Sequence, residues 1–137
     1  MTTSATSSFD VTGWDQAPYG DADQHPSFSK ATVLKKFQGD LTGESTAQLL
    51  MCQADTSDLS AGAGYVASEL VTGQLGGRSG TFVLQHWGVS GGGAPQRTGG
   101  HVVPGSGTGE LAGLSGEVEI AVDADGAHSL TLTYDIA

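Results

Sequence analysis

Cysteine is all but missing from this chain of 137 residues. Cys52 stands alone, so no intrachain disulfide forms and the fold does not depend on an oxidising compartment. Basic residues are scarce as well: 5 Lys and Arg face 15 Asp and Glu, for a net charge of −10. Such a chain repels phosphate backbones and anionic lipid, so neither nucleic acid nor a membrane surface is an expected partner. No apolar run approaches the 18 or so residues of a membrane span. The opening Met1–Ser8 has no basic residue and no apolar stretch and does not read as a secretory signal. A cytoplasmic location is the simplest expectation.

Chemical motifs are equally sparse. His25, His86, His101 and His128 lie on separate segments, and no H-x-x-x-H or C-x-x-C spacing occurs, so no metal is expected. There is no G-x-S-x-G elbow. Cys52, within Leu49-Leu50-Met51-Cys52, reads as a small buried hydrophobe. The G-x-G-x-x-A match at Gly107–Ala112 runs into a strand hairpin rather than a long helix, and Glu110 stands where a phosphate would sit. It reads as a turn, and no cofactor is implied.

Glycine, by contrast, is abundant. The 22 glycines are about one residue in six, roughly twice the usual share of ~7%. They fall at the ends of short apolar runs, where they supply turns. Between them the recurring pattern is the two-residue alternation of half-buried strands, and helical periodicity is nearly absent. The pattern predicts about eight strands, near residues 8–15, 28–40, 45–54, 65–75, 79–89, 96–103, 117–123 and 128–136. Residues 16–27 and 104–116 read as irregular, with one short helical turn at 110–114. The expected fold is all-β: one domain over residues 1–137, with 1–7 loose. Eight meandering strands give an antiparallel barrel or a closely related β-sandwich, and the barrel is favoured because closure removes exposed edges. An eight-stranded barrel is filled by side chains or holds one small ligand.

Two hairpins can be read closely. Val118, Ile120 and Val122 alternate on one strand, and His128, Leu130, Leu132, Tyr134 and Ile136 on the next. A three-residue loop, Ala124-Asp125-Gly126, keeps both sets on one face and pairs Val122 with His128 and Ile120 with Leu130. In the other hairpin, a two-residue Gly77-Arg78 loop sets Gly73 opposite Phe82, Val71 opposite Leu84 and Glu69 opposite His86.

Polar residues on apolar faces are the most informative feature. Glu69 shares its face with Tyr65, Ala67 and Val71, and His86 shares its face with Phe82 and Leu84. An inward face brings Glu69 and His86 together, a pair able to hold or move a proton. The plainer reading is a satisfied core pair. Tyr65, Phe82, Trp87, His128, Tyr134 and Trp14 are the candidate ligand-lining residues, with packing as the plainer role for each aromatic.

The run Ser106-Gly107-Thr108-Gly109-Glu110-Leu111-Ala112-Gly113-Leu114-Ser115-Gly116-Glu117-Val118 resembles the Gly-rich turn of allene oxide cyclases and, less closely, of plant dirigent proteins. Together with Phe37–Ser45, Tyr65–Glu69 and Gly80–His86, it resembles more fully a bacterial domain-of-unknown-function family with the allene oxide cyclase-like barrel. The resemblance spans most of residues 28–136. It implies an eight-stranded barrel with a central cavity and no assigned function. Homo-oligomers occur among related barrels, so it also implies self-association as an alternative to a monomer. Three functions follow as expectations. One is a binding module for an apolar or amphipathic small molecule. The second is a cofactor-free isomerase or cyclase acting on an epoxide, polyene or polyketide-like substrate, with Glu69 reacting and His86 orienting it. The third is a structural or interaction protein with a filled barrel.

Overall fold

The computed structural model describes residues 2–20 and 26–137. Part of the expected irregular stretch, including His25, lies outside them. Eight strands follow one another: β1 (Thr3–Tyr19), β2 (Ser27–Gly39), β3 (Leu41–Gln53), β4 (Ala63–Leu75), β5 (Arg78–Gly91), β6 (Ala94–Val102), β7 (Leu114–Val122) and β8 (His128–Ile136). Each pairs antiparallel with its neighbour, and β8 returns to β1, so the sheet closes into a barrel. Closure gives every strand a neighbour on both sides and leaves one inner and one outer face.

The alternation of the sequence maps onto those two faces. Ala5, Ser7 and Phe9 of β1, Ala31, Val33, Lys35 and Phe37 of β2, and Leu41, Ser45, Ala47 and Leu49 of β3 are all buried. One end of the barrel is solid. Phe37, Leu41, Val71, Leu75, Phe82, Leu84, Leu130 and Leu132 pack there in one cluster. A single 3-10 turn, Gly109–Leu111, closes this end with the fully buried Leu111. The other half holds a smaller cluster of Ala31, Val33, Ala47, Leu49 and Ala67. Three of its five members are alanines, and their short side chains leave space along the axis.

The last hairpin has the expected register, with Val122 opposite His128, Ile120 opposite Leu130 and Val118 opposite Leu132. Asp123 N–H bonds Ala127 O, which leaves Ala124-Asp125-Gly126 as the loop, with Gly126 left-handed at φ +83°. The β4–β5 hairpin differs from expectation. Its loop is Gly76-Gly77, so Leu75 meets Arg78, Val71 meets Phe82, Glu69 meets Leu84 and Gly73 meets Gly80. A tight hairpin turn of this hand needs positive φ at both central residues. Gly76 (+58°) and Gly77 (+83°) supply it, whereas Arg78 would be strained there. The shift is two residues, so every side chain keeps its face.

Strand β1 is longer than the alternation indicates. Residues 3–9 pair with β8, and the strand continues to Tyr19 along β2. Between Val11 and Gly13 its register slips by one residue. Such a bulge reverses which side chains point inward, so Trp14, paired with Val33, turns towards the barrel's mouth. The β6–β7 seam is thin, with His101–Glu117 as its paired residues. Beyond that pair Thr98 takes the ladder's place. Its hydroxyl donates to Ile120 O at 2.7 Å and accepts from Ile120 N–H at 3.0 Å. No helix among the described residues is long and apolar enough to cross a membrane.

Candidate functional site

The half of the barrel away from the solid end holds a half-open cavity of about 200 Å³. Phe9, Val33, Leu49, Met51 and Ile120 supply apolar walls, while Lys35, Tyr65 and His86 lie on one side. The cavity meets a wider mouth of about 570 Å³ that shares Met51, Tyr65 and Gln96 with it. The mouth is lined by neutral hydrogen-bonding side chains, among them Gln16, Ser29, Gln53 and Ser90.

Behind the cavity wall lies a polar cluster centred on Glu69, which has no exposed surface. His86 Nε2 lies 2.8 Å from Glu69 Oε1, and Lys35 Nζ donates to the same oxygen at 2.9 Å. Ser45 donates its hydroxyl to Oε2 at 2.6 Å. Tyr65 Oη lies 3.0 Å from His86 Nδ1, and the two rings meet edge to face. Among the described residues, no buried side-chain nitrogen or oxygen lacks a partner.

Strand register produces this convergence. Glu69 sits on β4 opposite Ala47 of β3 and Leu84 of β5. His86 is one inward step beyond Leu84, opposite Ala67. Lys35 reaches across from β2, over Ser45, its direct partner on β3. Because Ala47 and Ser45 are short, a β2 side chain can cross β3 and meet one on β4.

Burial alone pushes the Glu69 carboxyl up. The hydrogen bond from His86, the charge of Lys35 and the bonds from Ser45 and Lys35 outweigh it and bring the pKa down to about 2. Glu69 is therefore an anion at neutral pH and can only accept hydrogen bonds. A neutral His86 beside this anion carries its proton on Nε2, towards Glu69, and its Nδ1 lone pair accepts the Tyr65 O–H. Burial, and then the negative charge of Glu69, push the Tyr65 hydroxyl up to about 12, so it stays protonated.

The structure thus brings Glu69, His86 and Tyr65 into one cluster, and His128 and Trp14 onto the walls of the same cavity. His128 stacks on Phe9 with ring centroids 5.1 Å apart. The other candidates sit elsewhere. Phe82 and Tyr134 belong to the solid-end core. Trp87 points outward beside Leu50 and Val66, because odd-numbered residues of β5 face outside there. Sequence reasoning missed Lys35 and Ser45. The signal was present: Lys35 falls between Val33 and Phe37 in the inward alternation, and Ser45 lies two residues before Ala47. Among the described residues no group of three or more His, Cys, Asp or Glu is gathered to hold a metal ion.

Residues 5–134 match the family model described as "Protein of unknown function (DUF3224)". The chain is also similar to a crystal structure of a DUF3224-family protein of unknown function from Shewanella oneidensis MR-1. The two are 33% identical and superpose with a TM-score of 0.81 over 100% of this chain and 99% of the other. No curated protein matches the chain. These likenesses carry the barrel and no reaction.

Proposed function

The chain belongs to the DUF3224 family, and from the site it builds we propose that it is a small-molecule-binding barrel for one neutral, ring-sized ligand with a polar group. The observation that carries this reading is the cavity of about 200 Å³, with a mostly apolar wall interrupted by a few polar side chains, Lys35, Tyr65 and His86 among them. Drug-sized ligands occupy roughly 300–1,000 Å³, more than the inner cavity alone provides. An apolar cavity of roughly 150 Å³ accepts a benzene molecule, so a single ring with a short substituent matches the size. Lys35 is already neutralised by Glu69, which favours a neutral ligand over an anion. The neutral side chains of the mouth suit an amphipathic molecule whose polar end stays near solvent.

In this reading Glu69 does not touch the ligand. It positions His86 and Lys35, which do, and so reverses the order of roles expected from the sequence. A filled-barrel interaction protein is less well supported, because Ala31, Ala47 and Ala67 leave the axis unfilled.

Titration with benzene and with cyclohexanone, followed by backbone amide NMR, tests the proposal. The expected result is saturable shifts at Val33, Leu49, Tyr65 and Ile120, abolished in Leu49→Trp, whose indole fills the cavity. Neither compound shifting those amides would overturn it.

A further inference from the structure

The polar cluster has a direction. Glu69 is an anion that accepts from Lys35, Ser45 and His86. A neutral His86, its proton on Nε2, presents a lone pair on Nδ1 to which Tyr65 donates. The chain of bonds ends at the Tyr65 oxygen, whose remaining lone pairs are free of any partner within the cluster. Tyr65 lines both the inner cavity and the mouth. An imidazole oriented by a buried carboxylate and bonded to a hydroxyl at a cavity wall is an arrangement for withdrawing a proton through that hydroxyl. A second group completes it. The Lys35 ammonium lines the same cavity, 4.7 Å from the centre of the Phe9 ring. One of its three N–H bonds is committed to Glu69.

We propose that Tyr65, His86 and Glu69 form a proton relay that removes the α-proton of a neutral, ring-sized ketone or aldehyde, with Lys35 stabilising the enolate oxygen. This inference rests on the binding reading above and gives the ligand its chemical class. The C–H bond breaks, and its proton goes to Tyr65 Oη as the tyrosine's own proton passes to His86 Nδ1. The C–H electron pair becomes the C=C bond of an enolate, and the carbonyl π pair moves onto oxygen. The enolate's negative charge is balanced by the new imidazolium charge on His86, which lies against Glu69. Return of a proton to the same or a conjugated carbon reverses the relay. Exchange or double-bond isomerisation results, with no oxidant, reductant or cofactor. Because the Tyr65 hydroxyl is pushed up to about 12, the hand-over runs through both groups together and not through a standing phenolate. The carbonyl class follows from the pairing of a base with a cation: proton loss beside a carbonyl puts negative charge on an oxygen, where an ammonium stabilises it.

Cyclohexanone is the probe. Its α-proton exchange in D2O is followed by 1H NMR, and its binding by amide shifts in the same samples. The full chain is expected to accelerate exchange about 10²-fold or more over buffer, the usual lower range for a positioned acid–base group. Tyr65→Phe is expected to return it to the buffer rate while still binding the ketone, and His86→Gln to return it to the buffer rate. Glu69 acts through His86, so it is a positioning residue. Its separate readout is the downfield His86 Nε2–H resonance, which should be kept in Tyr65→Phe and lost in Glu69→Gln. Cyclohexanone bound in the cavity but exchanging at the buffer rate overturns the relay, as does a Tyr65→Phe variant as fast as the parent. Benzene binding without cyclohexanone binding overturns the carbonyl class alone. If neither ring binds, the binding reading fails and the relay fails with it.

Discussion

Glu69→Gln should change the pH dependence of stability, and the size of the change can be worked from the site. The Glu69 pKa falls from an ordinary 4.5 to about 2 on folding. A carboxyl depressed on folding adds stability that is fully present above its unfolded pKa. That stability is lost as pH falls through the folded value. A drop from 4.5 to about 2 corresponds to about 3 kcal/mol at 1.36 kcal/mol per unit. Most of it, about 2–3 kcal/mol, should be gone by about pH 2.5. Other carboxylates titrate over the same window, but they are common to both proteins and cancel in the comparison. At pH 7 the variant leaves the Lys35 ammonium buried without its anion, at a cost of about 3–5 kcal/mol. Domains of this kind have roughly 5–15 kcal/mol to lose, so the variant is expected to fold. Urea unfolding followed by tryptophan fluorescence gives the free energies, compared at equal m-values. The gap between parent and variant should narrow by about 2–3 kcal/mol between pH 7 and pH 2.5. Parallel pH profiles would refute the argument that Glu69 is an anion held by Lys35, His86 and Ser45. Lys35→Met with Glu69→Gln should recover much of the loss at pH 7, since both charges leave together.

Three further outcomes are expected. Thr98→Val should cost about 1–3 kcal/mol, because it strips partners from Ile120 N–H and C=O at the β6–β7 seam; amide exchange at Ile120 should quicken, and unchanged protection there would count against the role given to Thr98. Gly100→Ala should destabilise by about 1–3 kcal/mol and weaken ketone binding, since a β-carbon there would lie 2.6 Å from His86 Cβ and 2.5 Å from Gln85 O; thermal unfolding and amide titration read both. Ligand-induced fluorescence change should survive Trp87→Phe and vanish in Trp14→Phe, because Trp14 lines the cavity and Trp87 does not; the opposite pattern would misplace the site.

Much of the site was legible along the chain, and the exceptions have physical causes. Glu69 and His86 share a face whichever of the two odd-sum registers the hairpin adopts, so their meeting survived a wrong turn assignment. The turn itself is ambiguous in the sequence, because Gly76, Gly77 and Arg78 offer two possible two-residue loops and only the backbone angles choose between them. Trp14 points towards the mouth because of the bulge between Val11 and Gly13, which leaves no pattern in the sequence. Lys35 falls in the inward alternation between Val33 and Phe37, but no pattern along the chain shows which anion it reaches.

Period-two alternation, glycine turns and the want of helical stripes were enough to determine an eight-stranded antiparallel barrel and which side chains share a face wherever a strand runs without a bulge. Alternation assigns a side chain to a face and says nothing of its height along the barrel axis. Height comes from registers summed around the closed sheet. Only the tertiary structure could therefore separate Phe82 and Tyr134, at the solid end, from Tyr65 and His86, at the cavity. It also decided that Lys35 crosses the short Ser45 and Ala47 to reach Glu69. With that contact made, Glu69 holds the site's charge in place, and Tyr65 becomes the group that meets the cavity.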